Sequence, residues 1–429
     1  MEELQNAKGT RDFAPEEKIV RERVVQILRE TFEEYGYSPL ETPILCRYDV
    51  LSAKYAGGSE ILKETFRLKD QGERELALRY DLTVPLSKFV GINPQLKMPF
   101  KRYEIGRVFR DGPLKLGRYR EFWQCDVDIV GSPTGMADAE ILLLTSAALR
   151  KLQLNSYIEV NSRNILEGIM DYAGITGEQR MEAIISLDKI KKIGEEAVRK
   201  EMQSKDIAEE AIEKLMNAAN LIGKNMEILD KLKKILTSET GKKGIEEIEQ
   251  ILQFLEASQV TNVRFTPSLA RGLAYYTGPV FEAFLENSKI TSSIAGGGRY
   301  DNMIGQFLGG KKEYPATGIS FGLDVITEAM KLLQKAEQKT VVEIYVIPIG
   351  TPLESMKICE ELREATIKCD IDLNKKGISK NLDYANSLGI PYVLFVGENE
   401  LKARQFKLKN MKEGSEEMLS LEEVKKKFV

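Results

Sequence analysis

Apolar and polar residues alternate along the chain with two different periods. In "EEKIVRERVVQILRETFEEYG", residues 16 to 36, Ile19, Val20, Val24, Ile27, Leu28 and Phe32 recur near 3.6, which predicts an amphipathic helix. "YSPLETPIL" then breaks it and is expected to run extended, because each proline disfavours helix in the residue before it. Three later segments alternate with period two, the mark of a half-buried strand. In "LALRYDLTVPL" one face carries Arg79, Asp81 and Thr83, the other Leu78, Tyr80, Leu82 and Val84. In "FKRYEIGRVFR" one face includes Arg102, Glu104 and Arg110. In "REFWQCDVDIVG" Gln124, Asp126 and Asp128 oppose Trp123, Cys125, Val127 and Ile129. The link "DGPLKLG" predicts that the last two strands form an antiparallel hairpin with a long, flexible, basic loop.

The pattern changes twice more. Residues 165–258 are charged, helical in period and poor in strand signals, and predict an inserted helical subdomain. Glycine-rich strand sequence then resumes in "RGLAYYTGPVFEAFL", "ITSSIAGGGRYD" and "ATGISFGLDVI". After the linker-like "LLQKAEQKT", strands alternate with short helices, which predicts a small α/β domain. The expected layout is a first domain of residues 1–164 and 259–330, an insertion at 165–258 and a terminal domain at 338–429. The fold class is α+β.

Composition narrows the chemistry. The 429 residues carry 62 basic and 66 acidic side chains, for a net charge of −4. The stretch from Lys97 to Arg120 is locally basic, with only Glu104 and Asp111 against its lysines and arginines, and suits an anionic substrate or a phosphate backbone. Four scattered cysteines, without CxxC spacing, argue against a zinc site or a disulfide framework and fit a reducing cytoplasm. "MEELQNAKG" has no apolar leader, and "AEILLLTSAALRKL" is far too short to span a membrane. The chain contains no histidine. That excludes Ser-His-Asp triads, Cys-His dyads and histidine-ligated metals.

Charged groups on a strand face opposite an apolar face are costly unless they are solvated, paired or line a cleft. Asp81, Thr83, Gln124 and Asp128 offer carboxylates and neutral hydrogen-bonding groups suited to an ammonium and a polar side chain. Arg110, Arg271 and Arg299 offer forks for phosphate or carboxylate oxygens. Together they would hold an amine and a polyphosphate side by side. Tyr275 and Tyr276 would point to opposite faces of a regular strand, so both reach one ligand only if the chain turns there. "GGGRYD" is not a P-loop, since no GK[ST] follows.

Taken together and in order, "KGTRDFAPEE", "GYSPLETPIL", "LRYDLTVPL", "KRYEIGRVFRDGPLKLGRYREFWQCDVDIVG", "RGLAYYTGPVFEA", "AGGGRYDNMIGQFLGG" and "ATGISFGLDVI" resemble the histidyl-tRNA synthetases, class II aminoacyl-tRNA synthetases. The wording of "RYDLTVP" and "QCDVDIVG" resembles the eukaryote-like branch. The resemblance implies an antiparallel catalytic sheet flanked by helices, a C-terminal anticodon-binding domain, a homodimer, and L-histidine, ATP with Mg²⁺, and tRNA(His) as partners. It implies that Asp81, Leu82 and Thr83 form the histidine-binding strand, and that Gln124 and Asp128 hold the amino and imidazole groups. Tyr275 and Tyr276 would wall the imidazole pocket. Arg110 and Arg271 would be catalytic, at the carboxylate and α-phosphate, and Arg299 would join them in binding ATP. Three departures stand out: Ala274 where the family usually has an acid, Val325 where motif 3 ends in an ATP-contacting arginine, and Gly112 where many class II enzymes place an acid near adenine. Two alternatives stand beside this reading, the first kept open by Ala274 and Val325. One is a weakened paralog that senses histidine or tRNA. The other is a regulatory subunit of ATP phosphoribosyltransferase, against which the terminal α/β segment argues.

A ligase that contains none of its own amino-acid substrate can be made when charged tRNA is scarce. Its synthesis in a translation system depleted of histidine is therefore expected to continue. Arrest like that of an ordinary protein would refute this.

Overall fold

The computed structural model describes residues 4–52, 62–114, 119–271, 275–310, 313–333 and 339–428. The chain divides into two compact units, Met1–Arg11 with Val24–Met330, and Asp12–Arg23 with Lys331–Val429.

The first unit is built on β1 (Ser38–Pro39), β2 (Leu45–Arg47), β3 (Arg67–Lys69), β4 (Glu75–Leu78), β5 (Phe100–Phe109), β6 (Glu121–Val130), β7 (Ser156–Ser162), β8 (Val263–Phe265), β9 (Pro279–Leu285), β10 (Ala295–Arg299) and β11 (Ala316–Gly322). Eight of these make one sheet in the order β1-β5-β6-β11-β10-β9-β7-β8. Its two outermost pairs are parallel and the rest antiparallel. The predicted hairpin is present, with β5 and β6 paired from Phe100↔Val130 to Phe109↔Glu121. Part of its basic loop, residues 115–118, lies outside the described residues.

Alternation sorts the two faces of this sheet. Cys125 and Val127 are fully buried on one side. There Phe32, from the helix Pro15–Glu34, packs its ring 5.7 Å from both Tyr103 and Phe321. Val24, Leu28 and Phe32 are completely buried, as the 3.6 period predicts. Residues 163–257 consist of helices and their connections, from Arg163–Ala173 to Glu239–Ala257.

"LALRYDLTVPL" is not one strand. β4 ends at Leu78 and a helix runs from Thr83 to Ile92. The cause is local: Asp81 Oδ1 accepts the N–H of Val84 at 2.9 Å, and Pro85 sits in the first turn, where a missing N–H costs nothing. β4 instead completes a small sheet in the order β2-β4-β3.

The second unit holds β12 (Ile344–Ile349), β13 (Cys369–Ile371), β14 (Tyr392–Gly397), β15 (Phe406–Asn410) and β16 (Glu416–Leu419), in the order β13-β12-β14-β15-β16. β12 is parallel to β13 and β14, while β15 and β16 continue antiparallel. Ile344 and Val346 pack with Ile358 and Leu362 on one face, and Tyr345 and Ile347 with Ala385 on the other. Burial on both faces explains the near-continuous apolar run of β12. Among the described residues no helix is long and apolar enough to cross a membrane.

Candidate active site

The polar face of the large sheet is written directly into its register. Across β5 and β6, Arg102 faces Asp128, Glu104 faces Asp126 and Gly106 faces Gln124. Across β6 and β11, Asp128 faces Gly318 and Asp126 faces Ser320. Over this floor lies a cavity of ≈ 170 Å³. Asp81, Thr83, Arg110, Gln124, Asp128, Arg271, Tyr275 and Tyr276 all line it.

Missing side chains make the room. A Cβ on Gly318 would stand 2.1 Å from Asp128 Oδ1, and one on Gly296 2.0 Å from Arg271 Nη1. The carboxylate and the guanidinium therefore lie directly over bare backbone. Tyr275 and Tyr276 both reach the cavity because the chain turns ahead of β9, and their rings lie 4.7 Å apart, tilted by 50°. Burial pushes the Tyr275 phenol well up, so it stays protonated.

Each arginine is held by specific partners. Arg271 Nη1 is 3.1 Å from Glu282 Oε1, and its guanidinium lies 5.5 Å from the Tyr276 ring. Burial alone would lower its pKa, but Tyr276, Glu282 and Tyr275 outweigh it, so the group remains a cation. Among the described residues its Nε has no hydrogen-bond partner. Arg110 lies 4.3 Å from the Tyr80 ring and 4.9 Å from the Phe122 ring, a stacking that fixes the plane of its fork. Gln124 Nε2 donates to Ser320 Oγ at 2.7 Å, while its Oε1 is buried without a partner among the described residues. Buried orphan acceptors beside a cation are costly alone and favour a ligand carrying both donors and an anion.

Two expected residues lie elsewhere. Leu82 is fully buried and offers only its carbonyl, which accepts from Arg102 Nη2 at 3.2 Å. Arg299 does not line the cavity. Strand alternation turns it to the face opposite Gly296 and Gly298, where Nε and Nη2 meet Asp138 at 3.1 and 2.6 Å. Nη1 donates to the Ser132 carbonyl at 3.0 Å and Nη2 to that of Thr134 at 3.1 Å. Its nitrogens are engaged in tying β10 to the start of the helix Gly135–Lys151. Burial raises Asp138 to about 6, with Arg299 pulling it back.

Of the three departures, Ala274 lies outside the described residues. Val325 is half-buried in the helix Leu323–Leu333 and is not among the cavity's lining residues. At Gly112 a Cβ would stand 2.9 Å from Glu64 Oε1, so a carboxylate distant in sequence lies beside this position. Glu64 is held there by the Tyr80 hydroxyl, which donates to Oε2 at 3.1 Å.

The cavity also contains Tyr80, Asp126, Tyr300 and Ser320, which motif reasoning did not select. Asp126 shares the period-two face with Gln124 and Asp128, and that alternation was a usable signal. Nothing local marks Tyr300, whose hydroxyl donates to Asp128 Oδ1 from 172 residues away in sequence. Among the described residues no group of three or more Cys, Asp or Glu is placed to hold a metal ion.

Comparison with known proteins agrees with this arrangement. Residues 9–326 match the family model of histidyl-tRNA synthetase, and residues 343–429 match that of the anticodon binding domain. Histidine--tRNA ligase 1 of Bacillus cereus is 46% identical over 418 residues, 97% of each chain. Histidine--tRNA ligase 2 of Shouchella clausii is 41% identical, over 97% of this chain and 98% of that one. The crystal structure of histidyl-tRNA synthetase from Nostoc sp. PCC 7120 superposes with a TM-score of 0.88 at 28% identity, covering 99% of both chains. With its catalytic sheet and its C-terminal five-stranded unit both accounted for, the chain belongs to the histidyl-tRNA synthetase family.

Proposed function

We propose that the protein activates L-histidine with ATP and transfers it to the 3′ end of tRNA(His). One observation carries this: eight of the ten residues expected from sequence to bind histidine or ATP converge on one cavity. The substrate carboxylate attacks the α-phosphorus of ATP, the bond to the β-phosphate oxygen breaks, and histidyl-adenylate and pyrophosphate form. The terminal adenosine of the tRNA then takes the acyl group and AMP leaves. No protein nucleophile is needed, so a chain without histidine is no obstacle. Positioning and charge stabilisation supply the catalysis.

In this reading Asp81, Thr83 and Gln124 hold the amino group, Asp128 takes the imidazole N–H, and Tyr275 and Tyr276 wall the ring. Arg110 and Arg271 face the carboxylate and α-phosphate. Arg299 acts as a structural clamp. Glu64 takes the adenine-side role left open by Gly112. Mg²⁺ would enter with ATP and would supply positive charge at the phosphates, as the family implies. The protein works as a cytoplasmic homodimer, a reading supported by its family and by four cysteines that form no disulfide. The wording of the Asp81 and Asp128 motifs supports placing the chain towards the eukaryote-like branch, although the relatives named above are bacterial.

The test is histidine-dependent ATP–pyrophosphate exchange, followed by charging of tRNA. Absence of exchange would refute the proposal and leave a histidine or tRNA sensor. The regulatory-subunit reading is disfavoured by the anticodon-binding match at residues 343–429. Gly318→Ala tests the cradle. With a Cβ 2.1 Å from its oxygen, Asp128 must move. Histidine kcat/KM is expected to fall about 10²-fold, the usual result of an ångström of misplacement, with a much smaller change in KM for ATP. Equal loss for both substrates would count against a histidine-specific role for Asp128.

A further inference from the structure

Beneath the cavity the strands carry a chain of buried charges. Arg79, Arg102, Glu104, Asp126 and Asp128 are each 4% exposed or less. Arg79 Nη1 is 2.8 Å from Glu104 Oε1, Arg102 Nη1 is 3.8 Å from Glu104 Oε2, and Arg102 Nη2 is 2.8 Å from Asp128 Oδ2. Two guanidinia thus face three carboxyls. Fully ionised, the cluster would hold an uncompensated negative charge away from water. Arginine does not give up its proton, so the imbalance is relieved when one carboxyl holds one.

The hydrogen bonds identify which. Glu104 Oε1 accepts from the N–H and hydroxyl of Thr42, at 3.0 and 2.8 Å, and from Arg79. Asp128 Oδ1 accepts the Tyr300 hydroxyl, and its Oδ2 lies 2.8 Å from Arg102 Nη2 as an ion pair. Both are arranged as anions. Each of the three carboxyls keeps one buried oxygen without a hydrogen bond among the described residues, Glu104 Oε2, Asp126 Oδ1 and Asp128 Oδ2, but only Asp126 has no guanidinium there at ion-pair distance. The titratable or charged groups around it are Arg102 and Glu104 on β5, Asp128 on β6, Asp81 in the turn after β4 and Tyr300 after β10. Ser320 on β11 supplies a single neutral hydrogen bond. Burial pushes Asp126 up to about 8. Arg102 pulls it back, and Asp128 and Asp81 push it further.

We propose that Asp126 carries the proton at neutral pH, so that the cavity floor sets a carboxylic-acid donor beside the Asp128 carboxylate acceptor. Two residues apart on one strand face, the pair matches a neutral imidazole, whose one N–H and one bare nitrogen need one acceptor and one donor. The proton comes from solvent, and no other bond changes. The ligand half of this inference rests on reading the cavity as the histidine site. The protonation half does not.

Infrared difference spectroscopy of the full-length protein tests the protonation half. The wild-type minus Asp126→Asn spectrum at pH 7 should contain a protonated-carboxyl stretch, and subtraction removes contributions from other buried acids such as Asp138. In the wild type alone, part of the same band should titrate away near pH 8, which needs no variant. A band lost in Asp128→Asn but kept in Asp126→Asn would overturn the assignment, as would its absence from the wild type. Histidine KM between pH 7 and 9 tests the ligand half. Above the titration of Asp126 it should rise up to about tenfold per pH unit in the wild type, and less steeply in Asp126→Asn. Equal slopes would overturn that half. If the band behaves as expected but Asp128→Asn leaves histidine KM unmoved, the histidine-site reading fails, and the assignment of the proton stands without it.

Discussion

Replacing Arg271 by alanine is expected to lower histidine-dependent ATP–pyrophosphate exchange by about 10²–10³-fold, the usual result of removing one preorganised charge from a transition state. The side chain lies over Gly296, where any Cβ would collide with Nη1, and is held from behind by Glu282 and Tyr276. It is thus already in place, as a cation, before substrate arrives. Charge builds at the α-phosphate only as the new bond forms, so the loss should fall mainly on kcat. Arg271→Lys keeps a charge but not the two-pronged fork, and should fall between wild type and alanine. Near-normal exchange by a folded Arg271→Ala enzyme would remove this residue from the chemistry.

Arg102→Met is expected to be the most damaging single change to stability, by about 3–5 kcal/mol, because it strips the cation from Asp128 and Glu104 and leaves buried carboxyls uncompensated. The deficit should depend on pH with a definite sign. Asp128 already has a folded pKa raised by burial, with Arg102 as the main opposing influence. Removing Arg102 raises it further above the unfolded value of about 3.9. A group with a raised folded pKa contributes its stability below the unfolded value and loses it as pH climbs. The variant should therefore lie closest to wild type near pH 5 and fall furthest behind near pH 8. Thermal midpoints at both values measure this. A constant gap would mean that Arg102 matters through packing and not through its charge.

The hairpin β5–β6 was legible because ten-residue strands with period-two alternation, joined by a glycine-bearing basic loop, leave little else to predict. The Asp81 segment was misread for a physical reason. Its alternation is genuine, but a side-chain cap at Val84 and a proline in the first turn outweigh it over so few residues. The side to which Arg299 turns was not legible, because a glycine-rich strand gives no apolar face by which to tell inward from outward, and its partner Asp138 lies 161 residues away. Arg102 and Tyr300 went unselected for a related reason. Their meaning depends on what stands across the sheet, and motif wording does not carry cross-strand pairing. The C-terminal unit was read correctly as far as β14, while the antiparallel extension β15–β16 was not foreseen. Its strands are short, lysine-rich or acidic, and mostly exposed, with little apolar signal.

The register of the large sheet sets a limit on how this protein can go wrong. Arg102, Asp128 and Gly318 stand abreast on three neighbouring strands, as do Glu104, Asp126 and Ser320. A slip of one residue in β6 would turn Cys125 and Val127 towards the cavity and drive Asp126 and Asp128 into the side packed by Phe32, Tyr103 and Phe321. Such a molecule would lose its binding groups and its core in the same step. Misassembled copies should therefore be conspicuous to proteolytic surveillance, and a stable pool of well-folded but mispaired enzyme, able to occupy tRNA without charging it, has no structural route by which to accumulate.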